Sequence, residues 1–173
     1  MIISLTGFMG CGKSSVGRRL SELLCCPFMD LDDVIEAQAG KSIPEIFAEE
    51  GEAGFRAIEA ERLSTVIDRN AEMVLSLGGG TVMTPKCGRI VHEKTLCIYL
   101  RASMETLVNN LKDESEGRPM LASGTSLHDR IAELLALRES IYESTAHIIV
   151  DTDGKTIDEI AEAIIRIGIP CQR

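Results

Sequence analysis

Short apolar runs alternate with stretches of helical spacing along this chain. Residues 2–6 (IISLT) are apolar or small and stop at Gly7, the pattern of a strand buried on both faces. Over 13–24 the apolar residues Val16, Leu20, Leu23 and Leu24 recur at helical intervals. Residues 26–29 predict a second short strand ending in Asp30-Leu31-Asp32-Asp33. A helix is then expected from Val34, behind an Asp33/Glu36 capping box, and it stops at Gly40. Ser42 and Glu45 repeat the capping-box pattern at the head of a helix that Gly51 breaks, and a longer helix follows to about Arg69.

The same alternation continues. MVLSL (73–77) and TLCIYL (95–100) read as buried strands, separated by Gly78-Gly79-Gly80 and a helix with Thr84 as cap and Pro85 in its first turn. A helix is expected from Ser103 and another over 127–144, followed by a last strand, HIIV (147–150). Thr156 and Glu159 cap a final helix whose apolar stripe is Ile157, Ile160, Ile164 and Ile165. Between these elements, 112–124 (KDESEGRPMLASG) has no periodicity, and a loop of that length inside a compact domain points to a lid. Strands apolar on both faces, each followed by a helix, predict an α/β three-layer fold: a five-stranded parallel sheet with helices on both faces, joined by right-handed crossovers. With no repeats or linkers, 1–173 reads as one domain.

Composition narrows the function classes. Hydrophobic residues make up 45% of the chain, enough to bury a core. No apolar run reaches the roughly 20 residues that span a bilayer, and residues 1–10 lack a basic leader and a cleavage site, so the expectation is a cytoplasmic protein without a membrane partner. The six cysteines form no C-x-x-C pair, which suits thiols in a reducing compartment. His92, His128 and His147 have no ligand spacing. A net charge of −9 argues against nucleic acid as a partner. It also makes arginines at motif positions more telling, because an anionic substrate must be held against the overall field.

The chemistry begins at Gly7-Phe-Met-Gly10-Cys11-Gly12-Lys13-Ser14, a G-x-x-x-x-G-K-[ST] pattern placed between a predicted strand and a predicted helix. Backbone N–H groups of such a loop wrap an anion, and the helix N-terminus adds positive potential. This assigns Gly10, Cys11, Gly12, Lys13, Ser14 and Ser15 to ATP, with Lys13 on the β- and γ-phosphates and the Ser14 hydroxyl on Mg²⁺. Cys11 sits beside Lys13 at a helix N-terminus, and both lower a thiol pKa; a merely tolerated side chain is the favoured reading, with inactivation by alkylation there as the hypothesis set against it. The third strand carries no acid for the metal. Asp30 and Asp32, two apart on a segment read as extended, point the same way and are the carboxylates left to face the phosphates.

Taken in order, these motifs resemble the shikimate kinase family over nearly the whole length. The matching stretches are 7–14, FMDLD (28–32), SIPEIF (42–47), GEAGFRAIE (51–59), LSLGGG (75–80), GRPML (117–121) and LRESIYE (137–143). The resemblance implies ATP-dependent phosphorylation of the 3-hydroxyl of shikimate, with Mg²⁺, by an enzyme expected to be a monomer. It implies that Asp30 holds the metal with Ser14. Asp32, Arg56, Gly78, Gly79, Gly80 and Arg138 bind shikimate, the two arginines taking its carboxylate. Lys13, Asp32 and Arg118 are the implied catalytic residues, Arg118 reaching the ATP phosphates from the lid and Asp32 taking the hydroxyl proton. A bidentate guanidinium suits a carboxylate better than a lysine does. Residues 31–62 are the expected substrate-binding subdomain and 112–124 the lid. The family often carries an arginine that stacks on adenine just before the lid; here 108–112 read VNNLK, with Lys112 as a weak substitute. The rival readings are a gluconate- or nucleoside-monophosphate-type kinase and a non-catalytic nucleotide-binding regulator.

Overall fold

Every strand of the single sheet runs parallel. The strands are β1 (Ile2–Thr6), β2 (Phe28–Asp30), β3 (Met73–Ser76), β4 (Leu96–Arg101) and β5 (Ile148–Asp151), in the order β2-β3-β1-β4-β5. The computed structural model describes residues 1–112 and 126–167. Its helices are α1 (Lys13–Leu24), α2 (Leu31–Ala39), α3 (Ile43–Arg69), α4 (Pro85–Lys94), α5 (Met104–Leu111), α6 (Leu127–Thr145) and α7 (Ile157–Arg166). The α/β reading therefore stands.

Both faces of the sheet are covered. On one, Gly17 of α1 lies so near Leu5 and Phe28 that a methyl group there would meet the Phe28 ring at 2.5 Å. On the other, Tyr142 of α6 packs its ring against Tyr99 of β4, 5.2 Å between centroids. All five residues of β1 are buried, which explains its unbroken apolar pattern. Register places chemistry at the carboxyl ends of the strands. Ser76 pairs with Leu5 on one side and with Asp30 on the other, so the ends of β2 and β3 lie beside the loop that leaves β1.

Several boundaries differ from the sequence reading. The helix expected at Val34 starts at Leu31, and its N-cap is Asp30, whose side chain accepts from the Asp32 amide at 3.1 Å. Asp33 is in the first turn instead of capping it. Asp30 and Asp32 therefore straddle a strand-to-helix turn and do not share an extended segment. The Ser42/Glu45 box is formed, and Gly51 kinks α3 at φ 69°, ψ −178°. Pro85 does open α4, but Thr84 makes no side-chain cap bond. A 3₁₀ turn at Thr81–Met83 had no expectation. Strands β4 and β5 each begin one residue later than the apolar runs. In α7 Ile160 and Ile164 are buried and Ile165 packs partly buried against the core, while Ile157 is exposed. No described helix is long and apolar enough to cross a membrane.

Candidate active site

The loop leaving β1 builds the first half of the site. Gly12 takes φ 92° as N-cap of α1 and offers no side-chain bond to the helix, so the amides of the first turn stay open to a ligand. Lys13 is buried, and its Nζ donates to the carbonyls of Gly7 (2.9 Å) and Phe8 (3.0 Å). The ammonium thus lies along the rim of its own loop. Cys11 is also buried, with its Sγ 4.0 Å from Lys13 Nζ. The Cys11 thiol is thus shielded from solvent, and among the described cysteines Cys25 is the exposed one.

A cavity of about 410 Å³ opens over this loop, and Gly10, Gly12, Lys13, Ser14, Asp30 and Asp32 are in its wall. Ser15, Ser76, Gly78, Gly79 and Asn110 also line it. Ser14 Oγ donates to Asp30 Oδ2 at 2.5 Å and lies 3.4 Å from Ser76 Oγ. One carboxylate and two hydroxyls at this distance form a hard-oxygen donor set, the kind Mg²⁺ takes together with water and phosphate oxygens. Among the described residues no cluster of three His, Cys, Asp or Glu offers a metal cage.

The second half is the turn at 78–80 after β3. Three helices bring charge to it. From α2, Asp32 Oδ1 lies 2.9 Å from where a Gly78 Cβ would stand. From α3, Arg56 backs onto Gly80: a Cβ there would sit 2.2 Å from Arg56 Nη2. From α6, Arg138 is only 5% exposed and its Nη1 lies 3.5 Å from the Gly79 carbonyl. Arg56 and Arg138 thus face one turn rather than bulk solvent. Arg118, and the proposed lid apart from Lys112, lie outside the described residues.

Four residues without a sequence assignment support these groups. Glu59 is fully buried, accepts from Arg56 Nη1 at 2.7 Å and from Thr81 Oγ1 at 2.6 Å, and so aims the guanidinium. Its signal was the Arg-x-x-Glu spacing within the GEAGFRAIE stretch, which places both side chains on one helix face. Tyr142 donates its hydroxyl to the Gly79 carbonyl. Burial pushes its phenol well above the ordinary tyrosine range, so it stays a donor. Ser76 and Asn110 are the other two, and only the assembled sheet brings them to the cavity.

Comparison with known proteins points to one family. The family model described as shikimate kinase matches residues 9–167. A shikimate kinase of Dictyoglomus turgidum is 44% identical over 165 residues, covering 94% of each chain. One from Chlorobium phaeobacteroides is 42% identical over 176 residues, covering 95% of this chain and 91% of the relative. Among solved structures, shikimate kinase from Acinetobacter baumannii in complex with shikimate superposes with a TM-score of 0.91 at 32% identity, covering 96% of this chain and 91% of that one. The Aquifex aeolicus enzyme gives 0.83 at 34%, covering 96% and 95%. With a glycine loop between β1 and α1, the Ser14, Asp30 and Ser76 oxygens beside it and two arginines on one glycine turn, and with relatives of this similarity over nearly its full length, the chain belongs to the shikimate kinase family.

Proposed function

We propose that the cavity holds the ATP polyphosphate against shikimate at the 78–80 turn, and that the γ-phosphoryl group passes to the 3-hydroxyl. Membership of the family makes the protein an ATP-dependent kinase. It sets aside the gluconate- and nucleoside-monophosphate-type readings and the non-catalytic regulator.

Each residue then has one task. Amides of 10–15 cradle the phosphates, and Lys13 leaves its own loop carbonyls to reach them. Ser14, with Asp30 through water, would hold Mg²⁺, which when bound neutralises phosphate charge. Arg56 and Arg138 clamp the shikimate carboxylate, and Asp32 accepts from its hydroxyls. In the transfer, a bond forms between the substrate oxygen and the γ-phosphorus while the bond from that phosphorus to the β,γ-bridging oxygen breaks, and ADP leaves. Asp32 receives the hydroxyl proton. Arg118 is assigned to the phosphates on its motif alone. Residues 31–62 are proposed as the substrate-binding subdomain, since they carry both Asp32 and Arg56, and the enzyme is proposed to act as a monomer.

The observation that supports this most is the convergence of two guanidinium groups, from α3 and α6, on one glycine turn beside the phosphate loop in a chain of net charge −9. The deciding measurement is ADP release with and without shikimate. Stimulation by shikimate is expected. Arg138→Ala should raise the KM for shikimate about 10²-fold with a small effect on ATP, from the loss of charged hydrogen bonds. Lys13→Ala should instead cut kcat about 10²- to 10³-fold. Intact shikimate affinity in Arg138→Ala would remove the carboxylate clamp.

A further inference from the structure

The carboxyl end of α5 meets the phosphate loop at Gly10. Asn110 Nδ2 donates to the Gly10 carbonyl at 2.8 Å. The next residue, Leu111, is fully buried and packs on the Gly10 α-carbon: a Cβ built there would lie 2.7 Å from Leu111 Cγ. Gly10 has φ +80°, so its conformation suits glycine on two counts, torsion and space. Asn110 itself is exposed, and it lines the same cavity as Gly10 and Gly12. Two neighbouring side chains of one helix thus grip one peptide of the loop from different atoms.

The direction of that peptide matters for anion binding. A loop that cradles phosphate needs its N–H groups turned inward, and a peptide that flips presents a carbonyl oxygen to the anion instead. The N–H of the 10–11 peptide is held by a 3.3 Å bond to the Phe8 carbonyl. The 2.8 Å bond from Asn110 on the carbonyl side is the shorter anchor. We propose that Asn110 is a positioning residue for nucleotide binding, which holds the Gly10 carbonyl away from the polyphosphate and so keeps the loop formed before the ligand arrives. The proposal rests on the nucleotide reading above and deepens it. It assigns Asn110 to the polyphosphate through the loop, not to the base.

The test is calorimetric titration of the full chain with ADP and, separately, with inorganic tripolyphosphate. Asn110→Ala is expected to weaken both by the same factor, about five-fold, the worth of one hydrogen bond. Asn110→Gln, which keeps a donor amide, is expected to recover part of the loss. In turnover, the KM for ATP should rise by the factor seen in binding while the KM for shikimate stays unchanged. Because Asn110 is exposed, the melting temperature of the variant should stay at the parent value. Unchanged affinity for both ligands would overturn the proposal. So would a loss for ADP with none for tripolyphosphate, which would make Asn110 a base contact. A parent chain that binds neither ligand would remove the nucleotide reading and the proposal together. A parent chain that binds both but releases no ADP in response to shikimate would remove only the substrate reading, and the binding arms would still decide this one.

Discussion

Gly80 carries a constraint of space that a larger residue does not meet. It stands before a 3₁₀ turn with an ordinary φ of −109°, and the Arg56 guanidinium occupies the space where its side chain would be. The guanidinium is not free to move aside, because Glu59, itself fully buried, holds it at 2.7 Å. A methyl group at 80 must therefore displace Arg56 from its carboxylate partner. Gly80→Ala is expected to raise the KM for shikimate about 10- to 100-fold, the range for a hydrogen bond to a charged group, with ADP affinity unchanged. Paired titrations with shikimate and ADP check this. If the two affinities fall together, the backbone of the turn has moved and Arg56 is not the cause. The importance of the glycines could be read from the chain. Their physical reason could not, because Arg56 lies more than twenty positions upstream.

At the scale of elements, the site depends on how α2 and α3 begin and bend. Asp30 is at once the last residue of β2, the cap of α2 and the partner of Ser14. A carboxylate that accepts an amide hydrogen bond through one oxygen keeps a fixed rotamer, which leaves the other oxygen aimed at Ser14. The expectation of a helix starting at Val34 missed this because Asp33 and Glu36 mimic a capping box; the earlier aspartate wins because β2 ends there. In α3, Gly51 divides a segment that starts at a capping box from the segment that carries Arg56 and Glu59. Its φ of 69° with ψ of −178° lies in a region almost confined to glycine. Gly51→Ala is expected to cost about 1–3 kcal/mol of folding stability, read as a lower denaturant midpoint at unchanged slope. A variant as stable as the parent would show that the two segments join without strain.

For the whole molecule, thiols and a phenol buried in the core set an alkaline limit. Burial pushes the Cys87 and Cys97 thiols up to about 11 from an ordinary 9.0, and Tyr99 up to about 12. Below pH 9 these groups are protonated whether the chain is folded or not, so they make no difference. Between about pH 9 and 11 the unfolded chain releases thiol protons that the folded chain retains, and stability falls as pH rises through that window. The melting temperature is therefore expected to decline over this range, and Cys97→Ala should make the decline shallower. A parent and variant with parallel pH profiles would show that the Cys97 thiol titrates alike in both states. Charge acts at the same scale. In a chain of net charge −9, anion affinity must come from local groups, and the site meets this with amides, Lys13 and two arginines largely shielded from water.

The phosphate loop was legible in the chain because its function resides in contiguous residues: Gly12, Lys13 and Ser14 follow one another, and a strand and a helix flank them by pattern alone. The parallel sheet was legible for a similar reason, since doubly buried strands must be apolar throughout. Arg56, Arg138 and the 78–80 turn became a site on paper through family resemblance, not through spacing. What only the tertiary structure decided is the set of contacts between distant segments: Thr81 on Glu59, Tyr142 on Gly79, Ser76 beside Ser14, and Asn110 on Gly10. Local pattern records which face of an element is buried. Hydrogen-bond partners fifty or a hundred residues apart depend on strand order and register, which appear only once the sheet is assembled.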